Sequence, residues 1–135
     1  MCIKVLVADD NRMMRAALRT LLGEEPEIEL VAEAKNFAES LSLTRMFKPD
    51  VVILDLHMPD STYLTPMNVS EGLHAYRAAV LAISVWNDEN TRALARSYGA
   101  SELLDKMYLG EELIPAVMKL ASTTPLGRKA HAAYN

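Results

Sequence analysis

Asp9, Asp10, Asp55, Ser84 and Lys106 are the residues whose types and places could do chemistry together. Each stands where an apolar run stops: "VLVADDN", "VVILD", "LAIS" and "ELLDK". Two carboxylates about 4 Å apart repel by roughly 4 kcal/mol at an effective dielectric near 20, and a third adds to the strain. A chain gains nothing from such a cluster without a cation. Hard oxygen ligands in a small, partly open group suit Mg²⁺, which keeps several waters and often shares its shell with phosphate. Ser84 adds a hydroxyl donor and Lys106 an ammonium. Nucleophilic carboxylate, metal, hydroxyl and cation together make the set needed for in-line phosphoryl transfer to an aspartate.

The elements that must position these groups are legible from periodicity. "IKVLVA" reads as a strand that breaks at Asp9-Asp10-Asn11, where a short polar side chain can cap a following helix. In the next stretch Met14, Leu18, Leu21 and Leu22 recur on one helical face, Arg12, Arg15 and Arg19 take another, and Gly23 is expected to end the helix. A strand "IELVAEA", a helix around Phe37–Phe47 and the uniformly apolar strand before Asp55 follow. A fourth strand "VLAIS", a helix closed by Gly99, a short strand "SELLDK" and a last helix "EELIPAVMKLA" complete the alternation. This predicts an α/β fold: a flavodoxin-like, doubly wound, five-stranded parallel sheet in order 2-1-3-4-5 with helices on both faces. In such a sheet ligands bind beyond the carboxyl ends of the strands, at the reversal between strands 1 and 3, where Asp9, Asp10 and Asp55 fall.

The four segments "VLVADDN", "PDVVILDLHMP", "LAIS" and "GASELLDK", in this order over nearly the whole chain, resemble the motifs of response-regulator receiver domains of the CheY-like kind, most of all those of LuxR/NarL-type transcriptional regulators. The resemblance implies that Asp55 accepts a phosphoryl group from a phosphohistidine on a sensor histidine kinase or phosphotransfer protein. It implies that Asp10, Asp55 and the backbone carbonyl of His57 ligate Mg²⁺, with Asp9 acting through water. Ser84 would hydrogen-bond the phosphoryl group and Lys106 would pair with it. The domain would label itself stoichiometrically, without turning over as an enzyme, and shift a conformational population to control an output, transcription by the likeness, with homodimerisation a possible part.

Two features depart from the family pattern. Leu103 stands three residues before Lys106, where the family usually carries an aromatic ring that follows the switch hydroxyl; a leucine there reads more simply as strand core. Trp86, two residues after Ser84, and His57, two after Asp55, flank the phosphoryl position; Trp86 either shields an acyl phosphate from water or packs on the sheet edge. A Mg²⁺-dependent phosphohydrolase is the rival of another class. Such enzymes place the nucleophile in a D-x-D pattern on strand 1, which Asp9-Asp10-Asn11 lacks. A degenerate or stand-alone receiver that acts only by binding partners is a third reading.

The segment after Asp55, "LHMPDSTYLTPMNVSEGLHAYR", has no glycine until Gly72. We expect an extended loop over about residues 60–64, Thr65 capping and Pro66 opening a helix. Gly72 then lies inside it at a cost of about 1 kcal/mol relative to Ala. His74 and His131 carry no constellation, and the eight methionines, Met13, Met14 and Met58 among them, are expected as core filler.

At 135 residues the chain is the size of one domain, with residues 1–121 as the receiver unit and 122–135 as a tail or the start of a linker to an effector domain. Basic residues gather in that tail at Arg128, Lys129 and His131. A net charge of −4 argues against direct nucleic-acid binding by this segment. No apolar run is long enough to cross a bilayer, so a cytoplasmic place without membrane contact is expected. The single cysteine, Cys2, has no partner for a disulfide within the chain.

Overall fold

The computed structural model describes residues 2–122. Strand and helix alternate as β1 (Ile3–Ala8), α1 (Arg12–Gly23), β2 (Ile28–Ala34), α2 (Phe37–Phe47), β3 (Val51–Asp55), α3 (Pro66–His74), β4 (Ala79–Ser84), α4 (Glu89–Ser97), β5 (Glu102–Asp105) and α5 (Leu109–Ala121). Short 3-10 turns cover Pro59–Thr62 and Lys106–Tyr108. The strands are all parallel and lie in the order β2-β1-β3-β4-β5, the arrangement expected from the alternation.

The period of two in each strand divides the core. Val5, Val7, Ile53, Leu81 and Ile83 pack with Leu18 and Leu22 of α1 and Leu113 and Val117 of α5. Leu6, Val52, Leu54, Val80 and Ala82 turn the other way, against Phe37 of α2, Val69 and Leu73 of α3, and Ala95 of α4. β3 is buried along its whole length, which is why its sequence shows no polar alternation. Its terminal Asp55 is carried into the interior by the same packing.

Helix starts follow the short polar residues. The Asn11 side chain accepts from the Met14 N–H at 3.0 Å, Asn36 from Glu39 at 2.7 Å, and Asp88 from Thr91 at 2.8 Å. Helix ends are less regular. Gly23 is the last residue of α1 but has no left-handed backbone; the chain leaves through Glu24, whose N–H donates to the Leu21 carbonyl at 3.2 Å. Among the described residues the left-handed positions are Lys48 (φ 48°), Arg77 (φ 61°) and Gly99 (φ 80°). Gly99 meets both steric demands at once, because a Cβ there would strike the His74 ring and the Ser70 hydroxyl.

The stretch after Pro59 corrects one expectation and meets two. Residues 60–64 are not extended: Pro59–Thr62 coils into a 3-10 turn, with Tyr63 and Leu64 N–H both donating to the Asp60 carbonyl at 3.0 Å. The cause lies elsewhere in the chain. Both carboxylate oxygens of Asp60 accept backbone N–H groups at the start of α2, from Phe37 and Ala38, each at 2.9 Å, and an extended segment could not present them there. α3 does open at Pro66 with Thr65 as its cap, in a reciprocal capping box with Asn68. Gly72 does lie inside it, and a Cβ there would come within 2.5 Å of Leu41 Cδ2, so the glycine allows α2 and α3 to approach.

Four of the seven described methionines are not core filler. Met58 is buried and Met14 and Met118 lie against the core, but Met13, Met46, Met67 and Met107 are exposed, Met13 by 82% and Met107 by 81%. His74 is exposed, in keeping with expectation, and its Nδ1 lies 2.8 Å from the Ser70 carbonyl oxygen one turn earlier in α3. The tail residues Arg128, Lys129 and His131 lie outside the described residues. Among the described residues no helix is long and apolar enough to cross a membrane.

Candidate functional site

Strand register brings the acids together. β1 and β3 are neighbours with Ala8 beside Leu54, so the next residues, Asp9 and Asp55, leave the sheet side by side. On the other flank Asp55 pairs with Ile83, one residue before Ser84, and Ser84 pairs with Asp105, one residue before Lys106. One oxygen from each of Asp9, Asp10 and Asp55 falls within 4.8 Å of the others. Asp9 and Ser84 are wholly buried, Asp55 nearly so, and Asp10 is exposed. Four strand ends thus converge on one polar pocket in an otherwise apolar sheet.

Lys106 is the balancing cation of the cluster. Its ammonium stands 2.9 Å from Asp9 Oδ2 and 3.5 Å from Asp55 Oδ1. The contact with Asp9 is an ion pair without the direction of a hydrogen bond, so that buried oxygen keeps unfilled acceptor capacity. Asp9 Oδ1 accepts from the Asn11 N–H at 2.8 Å, and the Arg15 guanidinium donates to the Asp9 backbone carbonyl at 2.7 Å. Asp55 Oδ1 accepts from the His57 N–H at 3.2 Å. Burial above all, then the neighbouring charge of Asp9, pushes the Asp55 carboxyl up to about 7, against the pull of Lys106 and the His57 N–H; Asp10 adds a smaller push. Three carboxylates facing one ammonium form an under-compensated, all-oxygen set, and a hard divalent cation fits it.

The rim carries the other anticipated side chains. The Ser84 hydroxyl oxygen accepts from the Trp86 N–H at 3.0 Å, which leaves its own proton free to donate. The Trp86 indole is 55% exposed and meets the His57 ring edge to face, centroids 4.9 Å apart. Trp86 is thus not buried in the core, and its ring stands beside that of His57. Burial and then the Lys106 charge draw the His57 imidazole below its ordinary range. Leu103 lies opposite Ala82 on β5 and, partly buried, packs against the core cluster that contains Leu54 and Val80. Arg15 and Asp60 went unassigned in the sequence. Arg15 sits one helical turn beyond Asn11, a spacing that could have aimed it back at Asp9, whereas Asp60 acts across 23 residues and gives no local signal.

Residues 5–118 match the response regulator receiver domain family. The chain belongs to that family. This receiver domain is 34% identical over 106 residues to a protein-glutamate methylesterase/protein-glutamine glutaminase of Pyrococcus horikoshii, a match that takes in 77% of this chain and 28% of the relative. It is 28% identical over 127 residues to the transcriptional regulatory protein DegU of Brevibacillus brevis, 88% of this chain and 50% of that one. The receiver thus spans half or less of these curated relatives. Among solved structures it superposes on the signal receiver domain of NarL from Mycobacterium tuberculosis with a TM-score of 0.79 at 27% identity, covering 90% of this chain and 98% of that one. CheY6 of R. sphaeroides, solved in complex with the P1 domain of CheA3, matches with a TM-score of 0.74 at 26% identity, again over 90% and 98%. Receiver identity, fold and acid cluster agree with the motif reading.

Proposed function

We propose that Asp55 is the phosphoacceptor of this receiver and that its donor is a phosphohistidine on a sensor kinase or phosphotransfer protein. The observation that carries this reading is the convergence of Asp9, Asp10 and Asp55 oxygens within 4.8 Å, with a lysine ammonium 3.5 Å from Asp55. An Asp55 oxygen attacks phosphorus in line, the P–N bond to the donor imidazole breaks, and the electron pair leaves with the imidazole. Asp10, Asp55 and the His57 carbonyl would hold Mg²⁺ directly, with Asp9 acting through water. The ion, when bound, supplies positive charge to the phosphoryl oxygens. Lys106 exchanges its carboxylate contacts for the new phosphoryl oxygens, and Ser84 donates its free hydroxyl proton to one of them. The complex of CheY6 with a CheA3 P1 domain supports a partner of that kind.

Residues 1–121 act on this reading as the receiver unit and 122–135 as a tail or linker. The unit does not turn over substrate: it carries one phosphoryl group and changes population between two conformers. Leu103 has no ring or polar tip to follow Ser84, so the change reaches the surface by another route. DegU, matched over 88% of this chain, favours a transcriptional output; the methylesterase relatives favour an enzymatic one.

Incubation with radiolabelled acetyl phosphate and Mg²⁺ tests the site. Labelling is expected to reach one group per chain and to vanish in Asp55→Asn and in chelator. Multiple turnovers on a generic phosphate ester would instead make the protein a phosphohydrolase. The Trp86 indole at the mouth shields the acyl phosphate from water, so Trp86→Ala is expected to speed loss of the label several-fold; an unchanged decay rate rejects that role.

A further inference from the structure

The three clustered carboxylates are not held alike. Asp9 is buried, with Oδ1 accepting the Asn11 N–H at 2.8 Å and Oδ2 facing Lys106 at 2.9 Å. Asp55 is fixed by the His57 N–H and by the same ammonium. Asp10 is exposed, and among the described residues no donor hydrogen-bonds or ion-pairs with its carboxylate. One of its oxygens nevertheless lies within 4.8 Å of the other two acids. The aim of Asp10 therefore rests on where its backbone points it.

That backbone is held by Arg15. The Asp9 carbonyl and the Asp10 N–H belong to one planar peptide unit, so fixing the carbonyl fixes the direction in which Asp10 leaves it. The Asp9 N–H still donates to the Ala34 carbonyl of β2 at 3.0 Å, but the Asp9 carbonyl accepts from Arg15 Nη1, at 2.7 Å. Arg15 reaches back from the first turn of α1, where its own N–H donates to the Asn11 carbonyl at 3.0 Å. Its guanidinium is braced in turn. Arg15 Nε lies 3.8 Å from Glu33, which accepts two hydrogen bonds from Arg19, at 2.7 and 2.9 Å, and which sits beside Val7 in the β1–β2 register. The loop that carries Asp9 and Asp10 is thus tied to the sheet through one side chain.

Charge and position argue in opposite directions here. A guanidinium near a cation site repels the cation, so on charge alone its removal tightens binding. A bond that aims a ligand does the reverse, and partners that orient metal ligands commonly carry about ten- to a hundredfold in affinity. We propose that Arg15 is a positioning residue of the divalent-cation site: it pins the Asp9–Asp10 peptide so that the unpartnered Asp10 carboxylate faces Asp9 and Asp55. The inference rests on the reading of these carboxylates as a Mg²⁺ site.

The test is calorimetric titration of the metal-free chain with MgCl₂, in the wild type and in Arg15→Met, Arg15→Lys and Arg19→Met, each held well below the Tm it shows in chelator. The Kd for Mg²⁺ is expected to rise about tenfold in Arg15→Met. It is expected to rise less in Arg15→Lys, whose ammonium keeps the charge but lacks the fork that meets the carbonyl and Glu33 together. In Arg19→Met, which removes a charge from the same helix and leaves the Asp9 contact in place, it is expected to stay unchanged. Should Arg15→Met not fold, Arg15→Lys decides by itself, and a wild-type Kd in it overturns the proposal. An unchanged or lower Kd in both Arg15 variants overturns the proposal and leaves the metal reading standing. An equal rise in Arg19→Met also overturns it, because the ion pairs of α1 with Glu33 would then be the cause. A wild type that takes up no Mg²⁺ overturns the reading of the site, and the role of Arg15 falls with it.

Discussion

Asp55 concentrates the conflict that the site is built on. Its carboxyl titrates near 3.9 in an unfolded chain and is raised to about 7 in the fold, chiefly by burial and then by Asp9. A raised carboxyl means that the fold prefers the protonated form. Its stabilisation is complete below about pH 4 and is lost as pH rises through about 7. In metal-free buffer Asp55→Asn is therefore expected to exceed the wild type in urea-unfolding free energy by about 2–4 kcal/mol at pH 8 and to match it near pH 4. Parallel profiles for the two proteins would remove this account. Lys106 gives the opposite case. Its ammonium is the counter-charge of a wholly buried carboxylate, so Lys106→Met is expected to cost about 3 kcal/mol, most of it recovered by adding Asp9→Asn. Equal destabilisation in the single and double variants would show that the pair does not act as a unit. The residue types and their strand-end places were legible in the motifs. Which carboxylate is buried, and which one the lysine meets at 2.9 Å, was not, because both depend on strands that pair across the sheet.

At the scale of elements, the strands and most helix starts could be read from alternation and capping chemistry, since both are local. Thr65-Pro66 is the clearest instance: the cap and the ring with its preset φ define the first turn of α3 without outside help. The segment just before it shows the limit. Asp60 bends residues 59–62 into a 3-10 turn because its carboxylate serves α2, and no window of local sequence contains both partners. Asp60→Ala is expected to cost about 1–2 kcal/mol, with faster hydrogen exchange at the Phe37 and Ala38 amides, and Asp60→Asn to lose less because one acceptor oxygen stays. If exchange at those two amides is unchanged, the turn is held by something other than this cap. Gly72 teaches a related lesson. By propensity alone it is a defect in a helix, and only the approach of Leu41 from α2 gives it a purpose.

For the molecule as a whole, one doubly wound sheet presents a charged pocket at one end. A cation that binds the pocket only in the folded state stabilises the entire fold by mass action, about 2.7 kcal/mol at a hundred times Kd. Mg²⁺ at pH 7.5 is thus expected to raise Tm by several degrees, and Asp10→Ala to remove the rise while leaving the metal-free Tm nearly unchanged, since Asp10 is exposed. A Tm that rises equally in that variant would place the ion elsewhere.

The sequence by itself determined the alternation of elements, hence the parallel order β2-β1-β3-β4-β5, and the strand ends at which Asp9, Asp10, Asp55, Ser84 and Lys106 emerge. Those follow from side-chain period and backbone breaks, which act over a few residues. Only the tertiary structure decided that Asp9 and Asp55 are buried while Asp10 is open, that Trp86 turns to His57, that Met13 and Met107 stand in solvent, and that Asp60 holds α2. Each of these is set by contact between segments distant in the chain, where desolvation and charge act through space and leave no periodic trace in the sequence.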